Sequence, residues 1–221
     1  MARLFGAAPA NDLPEVPNYN VCPTTQIHAV TGGAGARRLI SMRWGFVPPW
    51  AKGPGDGPLM INARAETLAD KPAFRQAARE RRCLIPVSGF YEWERHADGV
   101  RLPWYISPAQ GDLFAFAGVW QAYETGDGRA ASCAIVTCAA NEAMARVHDR
   151  MPVIIAKEDQ ALWLGEAGHG AARLMRPAPS TDLRMWRVST EVNSNRSHGP
   201  QLIAPQSAAP SAHAPEDDQS M

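Results

Sequence analysis

Short, β-prone segments recur along most of this chain, and they constrain its fold more than any other feature. Each is rich in Val, Ile, Leu, Phe, Tyr or Trp, and most are bounded by Gly, Pro or Asp turns. Asp98-Gly99, which lies between two of the segments, is a strong signal for a hairpin. The pattern predicts strands at residues 26–30, 38–42, 84–87, 90–94, 104–107, 113–120 and 132–138.

Helical patterns are fewer. The clearest covers residues 72–82, where Asp70 can cap the start, Pro72 fits the first turn, and three arginines lie near the negative end of the helix dipole. The remaining helices are predicted at residues 141–146, 158–164 and 170–175.

This balance of elements predicts an α+β fold with a curved, barrel-like, mostly antiparallel sheet and peripheral helices. A chain of 221 residues with 45% hydrophobic residues can bury one substantial core, so we expect a single domain, over residues 1–206. Residues 7–17 hold three prolines and are predicted to form a loop. Residues 207–221 consist mainly of Ala, Pro, Ser and acidic residues and are predicted to be a disordered tail.

The charge balance excludes no class of partner. Basic and acidic residues both number 22, but three acidic residues and no Lys or Arg lie in the last fifteen positions, which leaves residues 1–206 with a net charge of +3. Nucleic-acid binding depends on a local basic patch rather than on this total.

The cysteines indicate neither a zinc site nor a disulfide framework, because no C-x-x-C pair occurs among Cys22, Cys83, Cys133 and Cys138. No metal, nucleotide or organic cofactor is implied. The first residues lack a signal-peptide pattern, and no apolar run approaches the ~20 residues that span a bilayer. We therefore expect a cytoplasmic protein with reduced thiols and no membrane partner.

Glu92 lies between Tyr91 and Trp93 at the centre of a predicted strand. Strand alternation places it on the same face as Phe90, where burial would raise its pKa toward the ~6 to 7 that suits a general acid or base. An outward-facing strand carboxylate is the alternative interpretation, and the local sequence leaves both open.

His148 is the candidate among the six histidines. It precedes Asp149-Arg150-Met151-Pro152, and a turn tightened by Pro152 can fix an imidazole at the edge of a sheet, with Asp149 orienting nearby groups. A purely structural histidine is the alternative.

Asn62 and Arg64 are two residues apart on a predicted strand, so their side chains project to one face. Arg64 can pair with a phosphate and Asn62 can orient a substrate oxygen. The alternative is that both residues only form hydrogen bonds at the end of the strand. Upstream, Trp44 and Trp50 lie in an aromatic and proline-rich segment. Each either fills the core or offers a stacking platform for an unpaired base, and core filling is favoured for Trp44.

Six motifs in fixed order closely resemble the SOS-response-associated peptidase family, over roughly residues 3–205. They are Tyr19-Asn20-Val21-Cys22-Pro23-Thr24, Arg43-Trp44-Gly45, Asn62-Ala63-Arg64-Ala65-Glu66, Cys83-Leu84-Ile85-Pro86, Gly89-Phe90-Tyr91-Glu92-Trp93 and His148-Asp149-Arg150-Met151-Pro152. Members of that family recognise abasic sites in single-stranded DNA. They form a covalent thiazolidine through an amino-terminal cysteine, and the same nucleophile releases the initiator methionine, hence the name peptidase.

The resemblance implies roles for individual residues. Asn62 would position the nucleophile and the opened sugar, Glu92 would move protons, and His148 would assist ring opening and crosslink formation or reversal. The residues implied along the DNA groove are Arg64, Trp44 and Trp50. The implied partner is single-stranded DNA containing abasic sites, bound by a monomer.

The sequence departs from the family at its start, because Ala2 stands second and the opening Met-Cys-Gly-Arg is absent. Ala2-Arg3-Leu4-Phe5-Gly6 resembles the end of the family's first helix, so we expect that the beginning is missing rather than mutated. The chain as written is then expected to be inactive for crosslinking. Two alternatives stay open: a non-covalent module that binds single-stranded DNA, and a hydrolase that acts on peptides in trans.

Overall fold

Eleven strands are present in the computed structural model, which describes residues 1–33, 35–126 and 128–206. They are β1 (Ala7–Pro9), β2 (Gln26–Thr31), β3 (Arg37–Trp44), β4 (Asn62–Arg64), β5 (Arg82–Val87), β6 (Phe90–Arg95), β7 (Arg101–Pro108), β8 (Phe114–Thr125), β9 (Gly128–Ala139), β10 (Arg150–Pro152) and β11 (Leu183–Arg187).

Five of these strands close into a barrel because β9 pairs along both of its edges. β2 pairs antiparallel with β3 and β5, β5 with β8, and β8 with β9. The ring closes where Arg43 and Trp44 of β3 pair in parallel with Ser132 and Cys133 of β9. Most of the strand pairs are antiparallel, so the predicted α+β fold with a barrel-like sheet is confirmed.

A second, three-stranded antiparallel sheet runs in the order β11, β7, β6. On one face Phe90 packs edge-on against Phe116 of the barrel, with ring centroids 5.5 Å apart. The other face covers a smaller core around Tyr105, Val188 and Leu202. The hairpin predicted at Asp98-Gly99 joins β6 to β7.

Helices are short and peripheral, with α1 at Ala2–Phe5, α2 at Pro72–Glu80 and α3 at Gln160–Leu164. The 3-10 turns are Ala65–Thr67, Met144–Arg146, Lys157–Asp159, Ala171–Leu174, Ser180–Asp182, Thr190–Asn193 and Pro200–Ile203. No helix among the described residues has the length and apolar character needed to cross a membrane.

All seven predicted strands overlap observed ones, but three local predictions were wrong. Ala7–Pro9 is not a loop; it forms an edge strand parallel to the start of β3, a position that tolerates proline. Lys71, not Asp70, precedes α2, and no side chain caps the helix. The helix also stops at Glu80, because Arg82 belongs to β5. The predicted disorder of 207–221 lies outside the described residues.

Arg82 connects the barrel to the ends of two helices. Its guanidinium donates hydrogen bonds to the carbonyls of Ala78 and Arg79 in the last turn of α2, and to the carbonyl of Trp163 near the end of α3. Carbonyls in the last turn of a helix lack partners within the helix and carry the negative end of its dipole. One half-buried cation therefore satisfies both helix ends, although burial lowers its pKa.

Replacing this cation should destabilise the fold. We expect Arg82→Met to lower the free energy of unfolding by about 2 to 3 kcal/mol, because it leaves carbonyls of both helix ends without their charged donor. Urea unfolding followed by circular dichroism measures the loss. Arg79→Met, at an exposed position on α2, is the matched control and should cost no more than about 0.5 kcal/mol; equal losses in both variants would contradict the role of Arg82.

Candidate active site

The candidate site forms at the carboxyl end of β9, where two distant segments meet. β4 pairs in parallel along one edge of β9, and β10 pairs antiparallel along the other. Arg64 and Pro152 both lie in register with Thr137, one on each side. Since neighbouring strands are about 4.8 Å apart, their backbones are about 10 Å apart. Segments that the sequence separates widely thus reach the same end of the barrel.

Glu92 and His148 come together across the two sheets. Glu92 lies on β6, an edge strand of the small sheet, and His148 lies two residues before β10, an edge strand of the barrel sheet. Their Oε1 and Nε2 atoms are 3.7 Å apart, and the side chains are 28% and 31% exposed. The pair is therefore shielded but still open to a substrate.

The backbone of Arg150 contacts His148 and favours one position for the proton of the ring. Its N–H donates to Nδ1 of His148 over 3.0 Å. The Arg150 carbonyl lies farther from the same nitrogen, at 3.3 Å, so in the neutral ring the shorter contact favours the proton on Nε2, which faces Glu92. Asp149, predicted to orient this region, is 88% exposed, with Oδ1 3.3 Å from Nδ1, so the shorter contact to the Arg150 backbone orients the ring.

Burial raises the pKa of Glu92 above its usual range, and the neighbouring imidazole of His148 opposes the rise, as does the guanidinium of Arg95. A carboxyl group with a raised pKa holds its proton closer to neutral pH and can exchange it more readily. The favoured chemistry at this pair is therefore proton transfer to and from a bound substrate.

Arg150 also joins the two segments that flank β9. Its Nη1 and Nη2 atoms lie 2.7 and 2.9 Å from the carboxylate oxygens of Glu66, and Nη2 donates to the Thr137 carbonyl over 2.7 Å. The hydrogen bonds that Arg150 donates to Glu66 lower the pKa of that carboxyl group to about 2. The sequence pattern predicts no role for Glu66 or Arg150, although both lie inside the motifs named above. Their opposite charges are the feature from which an ion pair could have been predicted.

Asn62 and Arg64 occupy the ends of β4 and are exposed, whereas Ala63 between them is buried. Within the part of the chain that the structure describes, neither side chain has a hydrogen bond or ion pair to another residue. They therefore share one face, as predicted, and remain available to a ligand. No direct bond joins Asn62 to Glu92 or His148 among the described residues.

The two predicted tryptophans differ in their surroundings. Trp44 is half-buried against the core, and its Nε1 donates to the Ile61 carbonyl over 3.0 Å, so it packs as expected. Trp50 is 62% exposed in the segment between β3 and β4. Of the two, Trp50 is the one that presents a large aromatic surface to solvent.

The aromatic neighbours of Glu92 on β6 hold a further motif in place. Tyr91 donates its hydroxyl proton to the Tyr19 carbonyl over 2.7 Å, and Trp93 donates to Asn193 over 2.7 Å. Asn20 bonds the carbonyl of Ser194 over 2.9 Å. The face of β6 opposite Glu92 therefore anchors the segment around residues 19–20 and the closing segment near 193–194, contacts that sequence patterns do not indicate.

Three of the four cysteines are buried and supply no activated thiol at this site. Cys83, Cys133 and Cys138 are buried, and burial raises the pKa of Cys133 to about 12 and that of Cys138 to about 11. Cys22 is half-buried beside the Asn20 carbonyl. Residues 1–33, 35–126 and 128–206 also contain no cluster of three or more His, Cys, Asp or Glu side chains that could hold a metal ion.

Known proteins resemble this chain over most of its length. The family described as SOS response associated peptidase (SRAP) matches residues 1–195. Abasic site processing protein YoqW of Bacillus subtilis is 40% identical over 191 residues, which cover 85% of this chain and 85% of that protein. Abasic site processing protein YedK of Escherichia coli is 29% identical over 192 residues, covering 85% and 84%.

Solved structures share the fold. The crystal structure of a protein from Bacteroides thetaiotaomicron matches 83% of this chain and 82% of that one with a TM-score of 0.73. The two sequences are 23% identical, so this likeness concerns the fold alone.

The ion pair between Glu66 and Arg150 should give the fold an acid-dependent stability. The pKa of Glu66 in the folded protein lies below its ordinary value of ~4.3. Its contribution is therefore present above about pH 4 and is lost as the pH falls towards 2. Because Glu66 is 52% exposed, solvent screening limits this contribution, and we expect Glu66→Gln to cost about 1 kcal/mol at pH 7.

Urea unfolding of wild type and Glu66→Gln at a series of pH values tests this expectation, and the difference should shrink on acidification. The control is Glu124→Gln, which removes a more exposed ion pair with Arg129 and should change little. A difference for Glu66→Gln that is independent of pH would contradict the assignment.

Proposed function

Because the chain belongs to the SOS response associated peptidase family, we propose that it recognises abasic sites in single-stranded DNA and processes them at the Glu92–His148 pair. Relatives named as abasic site processing proteins support this function. The observation that carries the proposal is the 3.7 Å contact between Glu92 and His148, beside an exposed Asn62 and Arg64.

The chemistry of the lesion matches a proton-transfer site. An abasic sugar in its open form is an aldehyde, which condenses with an amine to give an imine and water. An α-amine, with a pKa of ~7.7 to 8.0, is far more often unprotonated at pH 7 than lysine at ~10.4. The thiol of the same amino-terminal cysteine then adds to the imine carbon, and its proton passes to the nitrogen, which closes a thiazolidine ring.

This covalent step requires a mature first residue that is cysteine, whereas Ala2 stands second in the sequence. The step is therefore proposed for a polypeptide in which a Met-Cys-Gly-Arg opening precedes the present sequence. Release of the initiator methionine by the same cysteine would expose the amine. Without that opening, the site would bind abasic DNA without a durable bond.

We assign proton transfer to Glu92 and His148. With its raised pKa, Glu92 can accept and return the proton of the sugar hydroxyl during ring opening. His148, which presents Nε2–H toward Glu92, can donate to the oxygen that leaves as water. Asn62 would orient the opened sugar through its free amide.

We assign DNA binding to the exposed residues around this pair. Arg64 has a guanidinium free of protein partners among the described residues and suits a phosphate. Trp50 offers an exposed indole on which a base can stack, an interaction worth about 1 to 3 kcal/mol. Trp44 is packed into the core and would form the wall of the groove rather than a stacking platform.

Binding of the 221-residue chain to DNA should depend on Arg64. We expect tighter binding to single strands with an abasic site than to intact strands. Arg64→Ala should weaken binding to both and reduce the slope of log affinity against log salt by about 0.7, the value for one phosphate contact on single strands. Fluorescence anisotropy at several salt concentrations measures both. Arg173→Ala, at an exposed position on a 3-10 turn, is the control.

The covalent step should depend on the amino-terminal cysteine and on Glu92. If the reading frame upstream of Met1 encodes Met-Cys-Gly-Arg, the extended protein should form a heat-resistant conjugate with abasic single strands. Glu92→Gln should slow its formation by about 100-fold, because the carboxyl group can no longer accept a proton. Denaturing gels over a time course measure the rate.

The other outcomes distinguish the alternatives. A stop codon upstream, together with specific binding by the 221-residue chain, would support the non-covalent module. Turnover of an unrelated peptide in trans, lost in Glu92→Gln, would instead support a peptide hydrolase. An extended protein that begins with cysteine yet neither binds nor crosslinks abasic strands would overturn the proposed function.

A further inference from the structure

Two arginines face each other at the end of the hairpin that carries Glu92. Arg95 of β6 and Arg101 of β7 are directly opposite in the antiparallel register, and both are exposed. Side chains in this position lie on the same face of the sheet, and like charges there destabilise the strand pair. An arrangement that costs stability in the free protein indicates a site for a negatively charged ligand.

The carboxylates on either side of Arg95 in the hairpin already have other bonding partners. Glu94 accepts a hydrogen bond from Nε1 of Trp104 over 2.9 Å and lies 3.4 Å from Nε2 of His96. Asp98 accepts the backbone N–H of Val100 over 3.0 Å and so shapes the turn. Within residues 1–33, 35–126 and 128–206, no carboxylate forms an ion pair with Arg95 or Arg101. Their guanidinium groups are thus available for an external anion.

The arginine pair is near Glu92 along β6 but projects to the opposite face of the sheet. Arg95 follows Glu92 by three residues on an extended strand, which is about 10 Å. At this separation its charge still opposes the rise that burial causes in the pKa of Glu92. β6 is also the outer strand of its sheet, which leaves its edge open along this distance.

An aromatic side chain on the same face accompanies the two arginines. Trp93 precedes Arg95 by two residues, pairs with Pro103 and therefore projects to the same side. Its indole packs against the smaller core and donates from Nε1 to Asn193, and it stays partly exposed on the face opposite Glu92. A fixed aromatic ring beside two cations is the combination that binds single-stranded nucleic acid, through stacking and phosphate contacts.

We propose that Arg95 and Arg101 bind the phosphate backbone of single-stranded DNA after the strand has left the Glu92–His148 pair and crossed the open edge of β6. This inference rests on the proposed function and extends it, because it continues the DNA-binding surface onto the β6–β7 hairpin. The occupant is a phosphodiester chain on one side of the lesion, and only an oligonucleotide with a long enough flank on that side can reach the hairpin.

The test measures how salt affects the binding of the 221-residue protein to single strands. The variants are Arg95→Gln, Arg101→Gln and the double variant. Each single variant should reduce the slope of log affinity against log salt by about 0.7, and the double variant by about 1.4. Affinity of the double variant should fall about tenfold at low salt. This loss of affinity should occur only for DNA strands with a long flank on one side of the lesion.

Arg129→Gln is the matched control. Arg129 is an exposed arginine on another hairpin, between β8 and β9, where it pairs with Glu124 at 3.3 Å. Its position at the start of β9 is far from the site at the end of that strand, so its removal should leave the slope unchanged. An equal fall in slope for Arg129→Gln would show a general effect of net charge and overturn the proposal.

Thermal unfolding separates a binding defect from a folding defect. Because like charges oppose each other at this position, Arg95→Gln and Arg101→Gln should unfold at the same temperature as wild type or higher. Normal DNA affinity and salt slope in both variants, with wild-type protein binding abasic strands, would overturn the hairpin site while leaving the proposed function intact. If wild type binds no single-stranded DNA, both the proposed function and this extension fail.

Discussion

The pairing of β9 along both edges is the constraint on which the rest of this molecule depends. Its first half closes the barrel against β8 and β3, and its last residues accept β4 on one side and β10 on the other. Backbone hydrogen bonds allow one partner strand at each edge, so each partner must end where the next begins. The candidate site occupies the end of the strand where the two short partners replace the barrel strands.

The arginines of the site region divide into two groups with different uses. Arg150 is held by Glu66 and by the Thr137 carbonyl, and it orients His148 through its own backbone. Arg64, Arg95 and Arg101 are exposed and make no ion pair with another described residue. An arginine that is bonded within the protein gives the site its geometry, whereas arginines without such partners can bind a polyanion. A net charge near zero can therefore accompany a surface that suits nucleic acid.

Much of the architecture could be predicted because alternation and turn residues act locally. The hairpin at Asp98-Gly99 and the half-buried strand of Glu92 follow from a few neighbouring side chains. Ala7–Pro9 could not be predicted as a strand, because its pairing depends on the distant Arg37–Leu39 segment and not on its own propensity. The same reason explains why α2 stops at Glu80, since the barrel takes Arg82 into β5.

The sequence by itself determined which residues are candidates for the chemistry: a carboxylate between aromatic residues, a histidine before a proline turn, and an amide and arginine on one strand face. The tertiary structure alone decided that Glu92 and His148 meet, that Arg150 and not Asp149 orients the imidazole, and that Trp50 but not Trp44 is free. The identity of each residue and the alternation of apolar and polar residues can be read from neighbouring positions along the chain. Distance, burial and tautomer arise only when β-strand pairing brings remote segments together.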